Sequence, residues 1–342
     1  MHALFLQPNG GNHCSEETRV ASLRKQLLIV GLVAIVNFFS SMFVNDYWLN
    51  QISYGLIYGI VAISLGFLIY AAGLISLAHI ALFTVGAYTV ALLNLYWELY
   101  NLDLLIIYSF LSSLTVSTIL GLISCRYTKL HFIMLTFALS EVIHAIIHYT
   151  YGATGLPIPL VVSQSHPTTI MGTTIIGQSR IAFLRMVFFN YLLLWFVLTA
   201  VIFTVLRESP FGKALRAVKH NEERSADVGL NIYLLRTIGF AASGAFTGVA
   251  GGLWSILSGL VDPHMIHWDV GMEFLAYSVF MQNIVVGPYF GALLLNILRE
   301  WSGLLTIHWR LILGVFLMLS MMSASKSYDL VKLLRNLGGF LK

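Results

Sequence analysis

Glu141, His144 and His148 stand at i, i+3 and i+7 of one apolar stretch, which puts a carboxylate and two imidazoles on one face of a helix. That spacing could hold a metal ion, yet no further ligand gathers with them, and a hydrogen-bonded polar contact inside a bundle is the other reading. No metal site is expected. The second chemistry-bearing segment is charged and runs from Arg207 to Arg236. Ser209 followed by Pro210 suits a helix cap and first turn, Asn221 could cap a second short helix, and Gly229 would stop it. Phe211, Leu215 and Val218 form a short amphipathic stripe of the kind a docking surface for a soluble partner would need. A basic loop that merely fixes topology explains the same residues. Polar positions interrupt apolar runs at Ser76, His79, Thr84, Gln282 and Asn283, the candidates for a solute pathway. Ser and Thr also bond to their own helix backbone, and amides bridge helices. No phosphate-binding loop, nucleophile elbow, zinc-peptidase helix or dinucleotide fingerprint is present, so no catalytic residue is assigned.

The elements that must position these residues follow from composition. Of 342 residues 58% are hydrophobic and only 10% charged, with a net charge of +4 and a mean hydropathy of +0.83. Soluble domains carry about a quarter charged residues. A soluble enzyme, a disordered chain and a nucleic-acid binder are thereby excluded, and the bilayer is the main solvent. Apolar stretches at 27–44, 51–71, 74–95, 104–124, 130–149, 181–206, 237–260, 271–298 and 303–325 lack period-two alternation. They predict an all-α, polytopic bundle of about 8–10 transmembrane helices.

Basic residues sort by side. The groups at 19–25, 126–129, 207–236 and 326–342 hold 15 of the 19 Lys and Arg. With the N-terminus inside, the first seven spans bring the first three groups to the cytoplasm. The tail follows only if 271–298 is a broken helix or hairpin, interrupted at Gln282-Asn283 and Gly287-Pro288. This gives a cytoplasmic segment 1–26, one transmembrane domain 27–325 with its charged loop at 207–236, and a cytoplasmic tail 326–342. The first segment reads as a retained span, not a cleaved signal. Cys14 and Cys125 are expected reduced on the cytoplasmic side. Gly55/Gly59, Gly244/Gly248/Gly252 and Gly287/Gly291 are small-xxx-small patterns that let helix backbones approach closely.

Three stretches together resemble a family. They are Gly73–Leu93 (GLISLAH, FTVGAYT), Leu130–Glu141 (LHFIMLTFALSE), and Ser209–Val218 (SPFGKALRAV) continuing through Asn221-Glu222, Gly229-Leu230-Asn231 and Ala241–Leu253. The chain is similar to the membrane permease subunits of branched-chain amino-acid ABC importers, nearer the M-type, over roughly residues 50–325. It departs from the family at Gln282–Val286, where a glycine-rich segment is usual, and at His144, where arginine is common. The resemblance implies a multi-pass protein of the bacterial inner membrane with both termini cytoplasmic, no cofactor, and no catalysis of its own. It implies that Phe211, Arg216, Asn221, Glu222, Ala226 and Gly229 belong to a segment seated in an ATP-hydrolysing partner. A second, homologous permease and an extracytoplasmic solute-binding protein would complete the assembly, moving leucine, isoleucine or valine. A permease of the same family for urea or another small amide, a stand-alone secondary transporter with a site at the 271–298 break, and a membrane metalloenzyme remain open alternatives.

Overall fold

The computed structural model describes residues 10–152, 155–157, 168–170, 173–175, 183–280, 284–305, 311 and 314–315. Apolar runs without strand alternation coil, as the bilayer requires backbone groups to be satisfied within each segment. The helices are α1 (Gly10–Phe43), α2 (Asp46–Phe67), α3 (His79–Trp97), α4 (Leu102–Ser124) and α5 (Lys129–Tyr151). After these come α6 (Phe189–Glu208), α7 (Pro210–His220), α8 (Glu222–Asp227), α9 (Ile232–Ser258), α10 (Trp268–Val279) and α11 (Gly287–Leu305). Single π-helical turns extend α2 over Leu68–Ala72 and precede α6 over Leu184–Phe188. Two short antiparallel ribbons lie at the helix ends opposite the charged loop: β1 (Leu156–Pro157) with β4 (Leu260–Val261), and β2 (Thr168–Ile170) with β3 (Thr173–Ile175).

Among the described residues, seven helices are long and apolar enough to cross a membrane: Leu23–Ser41, Asp46–Ala72, His79–Trp97, Leu102–Ser124, Lys129–Tyr151, Phe189–Glu208 and Ile232–Ser258. They are the first seven expected spans, with shifted ends. Residues 10–26 continue the first span as one helix. The third starts at His79 because residues 73–78 form a turn, with Gly73 in the left-handed region at φ 69°. The seventh starts at Ile232, where Asn231 accepts the Leu234 N–H at 3.0 Å. The expected interruption inside 271–298 is present: α10 ends at Val279 and α11 starts at Gly287-Pro288, a proline placed where its missing N–H costs nothing. Gln282 and Asn283, most of the expected span 303–325 and the tail 326–342 lie outside the described residues.

By internal packing the chain divides into Met1–Leu293 and Leu294–Lys342. In the first unit α9 is the axis, surrounded by α2, α3 and α4, while α1 and α5 are the spans least covered by the rest of the chain. Lipid gives helices no hydrophobic drive to associate, so close backbone approach must substitute. The glycines of α9 supply it. A Cβ on Gly244 would stand 2.5 Å from Ser117 Cβ, one on Gly252 would stand 2.8 Å from Ser109 Oγ, and one on Gly248 would collide with Ser113 Oγ. The serine hydroxyls of α4 lock this seam. Ser109 donates to the Gly248 carbonyl (2.8 Å), Ser117 to Ala241 (3.1 Å) and Ser113 to Leu82 of α3 (3.2 Å). Elsewhere Gly55 faces Leu293, Gly59 faces Tyr289, and Gly291 faces Phe280, whose Cβ would lie 2.5 Å from an added methyl. Gly287 is buried at the start of α11.

Candidate functional site

The charged segment between α6 and α9 folds as two short helices set by local signals. Ser209 Oγ accepts the Gly212 N–H at 3.2 Å and Pro210 opens α7. Gly212 is required there, because a side chain would strike the Leu206 and Arg207 carbonyls at the end of α6. Asn221 Oδ1 accepts the Arg224 N–H at 3.0 Å and starts α8. Gly229, at φ 88°, releases the chain from α8 into the turn before α9.

Where this segment faces differs from the sequence-based expectation. Leu215 and Val218 are fully buried and Phe211 is half-buried, so the apolar stripe of α7 packs within this chain and does not wait for a partner. Leu215 lies beneath Gly239 of α9. The periodicity identified a buried face, and α6, α9 and the end of α2 cover it. The outward surface is instead α8 and its turn: Asn221, Glu223, Arg224, Ala226, Asp227 and Gly229 are exposed, and Val228 is 81% exposed at the tip.

Three latches hold that ridge to the spanning helices. Lys219 Nζ donates to the Ile69 carbonyl (3.1 Å) and the Tyr70 carbonyl (3.0 Å), neutralising the negative end of α2. Partial burial lowers the Lys219 pKa from its usual range, against the opposing effect of Tyr70. Arg216 donates to the Arg207 carbonyl at 3.0 Å, and the Arg207 guanidinium lies 3.5 Å from the centroid of the Tyr70 ring. Glu222 pairs with Arg236 of α9 through both carboxylate oxygens. The Arg236 side chain is 5% exposed and that of Glu222 44%. Structure therefore brings Asn221, Glu222, Ala226 and Gly229 together on one ridge, while Phe211 and Arg216 lie on α7 as its support. Sequence reasoning did not single out Tyr70, Arg207, Lys219 and Arg236, because their partners are remote in the chain; only their position beside the motif hinted at them.

The three proposed pathway residues that are described, Ser76, His79 and Thr84, have partners within the chain. Ser76 is buried and accepts the Ala78 N–H (3.2 Å), and Thr84 is buried and donates to Ile80 of its own helix (3.0 Å). His79 is buried at the start of α3 with Nε2 2.8 Å from Ser243 Oγ. The Ser243 hydroxyl donates to the Ser64 carbonyl at 2.8 Å, so the imidazole N–H is the donor to Ser243. Glu141 and His144 stand 3.5 Å apart, and the His144 and His148 rings are 6.2 Å apart. Among the described residues no group of three His, Cys, Asp or Glu could hold a metal ion.

The sequence carries the same story over most of its length: the model of the family described as "Branched-chain amino acid transport system / permease component" matches residues 47–322. The chain belongs to this permease family. It is a multi-pass membrane permease of the ABC-transporter type. This family member is 26% identical over 298 residues to the high-affinity branched-chain amino acid transport system permease protein LivM of Escherichia coli K12, covering 81% of this chain and 68% of that one. It is 27% identical over 263 residues to LivM of Salmonella typhimurium LT2, covering 71% of this chain and 60% of that protein. The guanosine ABC transporter permease protein NupQ of Bacillus subtilis 168 is 28% identical over 140 residues, covering 40% of the permease chain and 44% of NupQ. No solved structure matches.

Proposed function

We propose that the chain is the non-catalytic permease subunit of an ATP-binding-cassette importer for branched-chain amino acids. The α8 ridge would seat in a cleft of a separate ATPase subunit on the cytoplasmic side of a bacterial inner membrane, with both termini on that side. A second, homologous permease would complete the membrane unit, and a solute-binding protein would deliver substrate from outside. The observation that carries this reading is the ridge itself. Asn221, Glu223, Arg224 and residues 226–229 are exposed, and the segment is tied by Lys219 to α2, by Arg216 to α6 and by Glu222–Arg236 to α9. A movement imposed on the ridge therefore reaches three helices, two of them packed on each other at the centre of the bundle. The same surface on a passive topological loop would need no such ties.

The test is reconstitution with ATPase subunits, a partner permease and a binding protein, followed by ATP-dependent uptake of labelled leucine. Charge reversal combined with deletion across 221–229 should abolish assembly and uptake. Normal assembly and uptake after those changes would end the coupling reading. Ion-gradient-driven uptake by this chain alone in liposomes would establish the secondary-transporter alternative. The similarity to a permease named for guanosine makes a nucleoside the second cargo to assay.

A further inference from the structure

Phe137, Glu141, His144 and His148 follow one another at spacings of four, three and four, so they share one face of α5. That helix is among the spans least covered by the chain's own packing. Glu141 lies about 18 Å from the Lys129 end at 1.5 Å per residue, near the middle of a hydrocarbon layer of about 30 Å. Its side chain is 42% exposed and that of His144 is 25% exposed. Ionisable groups at such depth face a bundle interior or a water-filled cavity, because contact with acyl chains costs several kcal/mol. This face of α5 therefore does not meet lipid.

Beside the stripe lies a cavity of about 190 Å³ lined by Leu77, Ile80, Phe137, Ser140, Gly271 and Met272. Its walls are almost wholly apolar: the Ser140 hydroxyl is turned to the Phe137 carbonyl at 2.8 Å. Cavities of about 150 Å³ with such walls accept benzene, so this one has room for a four-carbon side chain. The missing side chain of Gly271 sets its width, since a Cβ there would stand 3.3 Å from Ile80 Cγ2. An apolar pocket flanked on one helix face by a carboxylate and two imidazoles matches a molecule with an aliphatic group and two opposite charges.

We propose that this face of α5 lines the solute pathway and that, with the neighbouring cavity, it forms a half-site for an aliphatic α-amino acid. The side chain enters the cavity, the ammonium meets Glu141, and the carboxylate meets the N–H groups of His144 and His148. The proposal rests on the permease reading above and adds where and how the substrate is met.

Two measurements decide it, both in the assembled transporter. In a Cys14→Ser/Cys125→Ser background, single cysteines at 141, 144 and 148 are exposed to a charged methanethiosulfonate, with cysteines at 142 and 146 as controls. Val142 and Ile146 are more than half exposed on the other side of α5. The stripe should react readily and the controls should not, and leucine should slow at least fivefold the reaction of a further single cysteine at 137, which lines the cavity and leaves the three polar contacts in place. Reactivity at the stripe no greater than at the controls, or no protection by leucine, would overturn the half-site. In transport, Gly271→Val should raise the KM for leucine at least tenfold relative to alanine, and Met272→Ala should admit phenylalanine. An unchanged leucine-to-alanine ratio in both variants would likewise overturn it. Labelling is read on this chain whether or not ATP drives uptake. A complex that hydrolyses ATP without importing leucine therefore counts against the coupling reading alone.

Discussion

Replacing Lys219 by Met removes the charged donor from the end of α2 and keeps most of the stem. The ammonium makes two hydrogen bonds, to Ile69 and Tyr70, at 3.1 and 3.0 Å. Bonds from a charged donor are worth about 1.5–3 kcal/mol each when desolvated. Lys219 is only partly buried, so the pair together contributes about 1–2 kcal/mol after solvent screening. The four-carbon stem lies over Gly73, and methionine preserves that packing. The variant should therefore fold and assemble, while the equilibrium linking α7 to α2 shifts by roughly 5- to 30-fold. The assay is leucine uptake and ATP hydrolysis measured on the same proteoliposomes. Uptake per ATP hydrolysed should fall by that factor in Lys219→Met and recover largely in Lys219→Arg, whose guanidinium can also donate twice. Unchanged stoichiometry in Lys219→Met, at normal complex yield, would refute the idea that this latch transmits force.

The Glu222–Arg236 pair should respond asymmetrically. Glu222→Ala strands a buried guanidinium and should cost about 2–3 kcal/mol, whereas Arg236→Met leaves a half-exposed carboxylate that water solvates, about 1 kcal/mol. Denaturation in detergent checks the order, and the double variant should be more stable than Glu222→Ala. Gly248→Val forces atoms into Ser113 and should destabilise by at least about 3 kcal/mol, seen as loss of folded protein, while Gly31→Ala, with open space around it, should be silent. Cys125 is a buried thiol pushed up to about 11 by burial. It stays protonated below that pH, with a thiolate fraction at pH 8 roughly a hundredfold below that of a free cysteine. Native protein should resist maleimide there until denatured, and rapid labelling would contradict the burial.

Much of this was legible because it is local. Span positions, the caps at Ser209 and Asn221, the stop at Gly229 and the break before Gly287 each depend on a few adjacent residues. The α9 glycines declared close packing in advance, although their partners, the serines at 109, 113 and 117, announced themselves only by a spacing of four. The direction of the α7 stripe was not legible. Periodicity says that a face is buried, and nothing in it distinguishes burial against one's own α9 from burial against another protein. Ser76 and Thr84 show the same limit at single residues, since a polar type at membrane depth fits a pathway as well as a bond to its own backbone. Lys219 and Ile69 meet across 150 residues, which only the assembled fold can arrange.

The glycine–serine seam also fixes what cannot slide. Along α3 and α9 main chains touch directly, and α4 meets both only through short serine side chains whose hydroxyls are pinned to individual carbonyls. A shear of one turn would break each of those bonds and drive backbone into backbone. The three helices thus work as one welded block, and any change of access must come from tilting that block whole or from displacing the loosely covered α1 and α5 around it. In engineering terms the seam is a rigid beam: load applied at one end of α9 is not lost to sliding between the helices beside it.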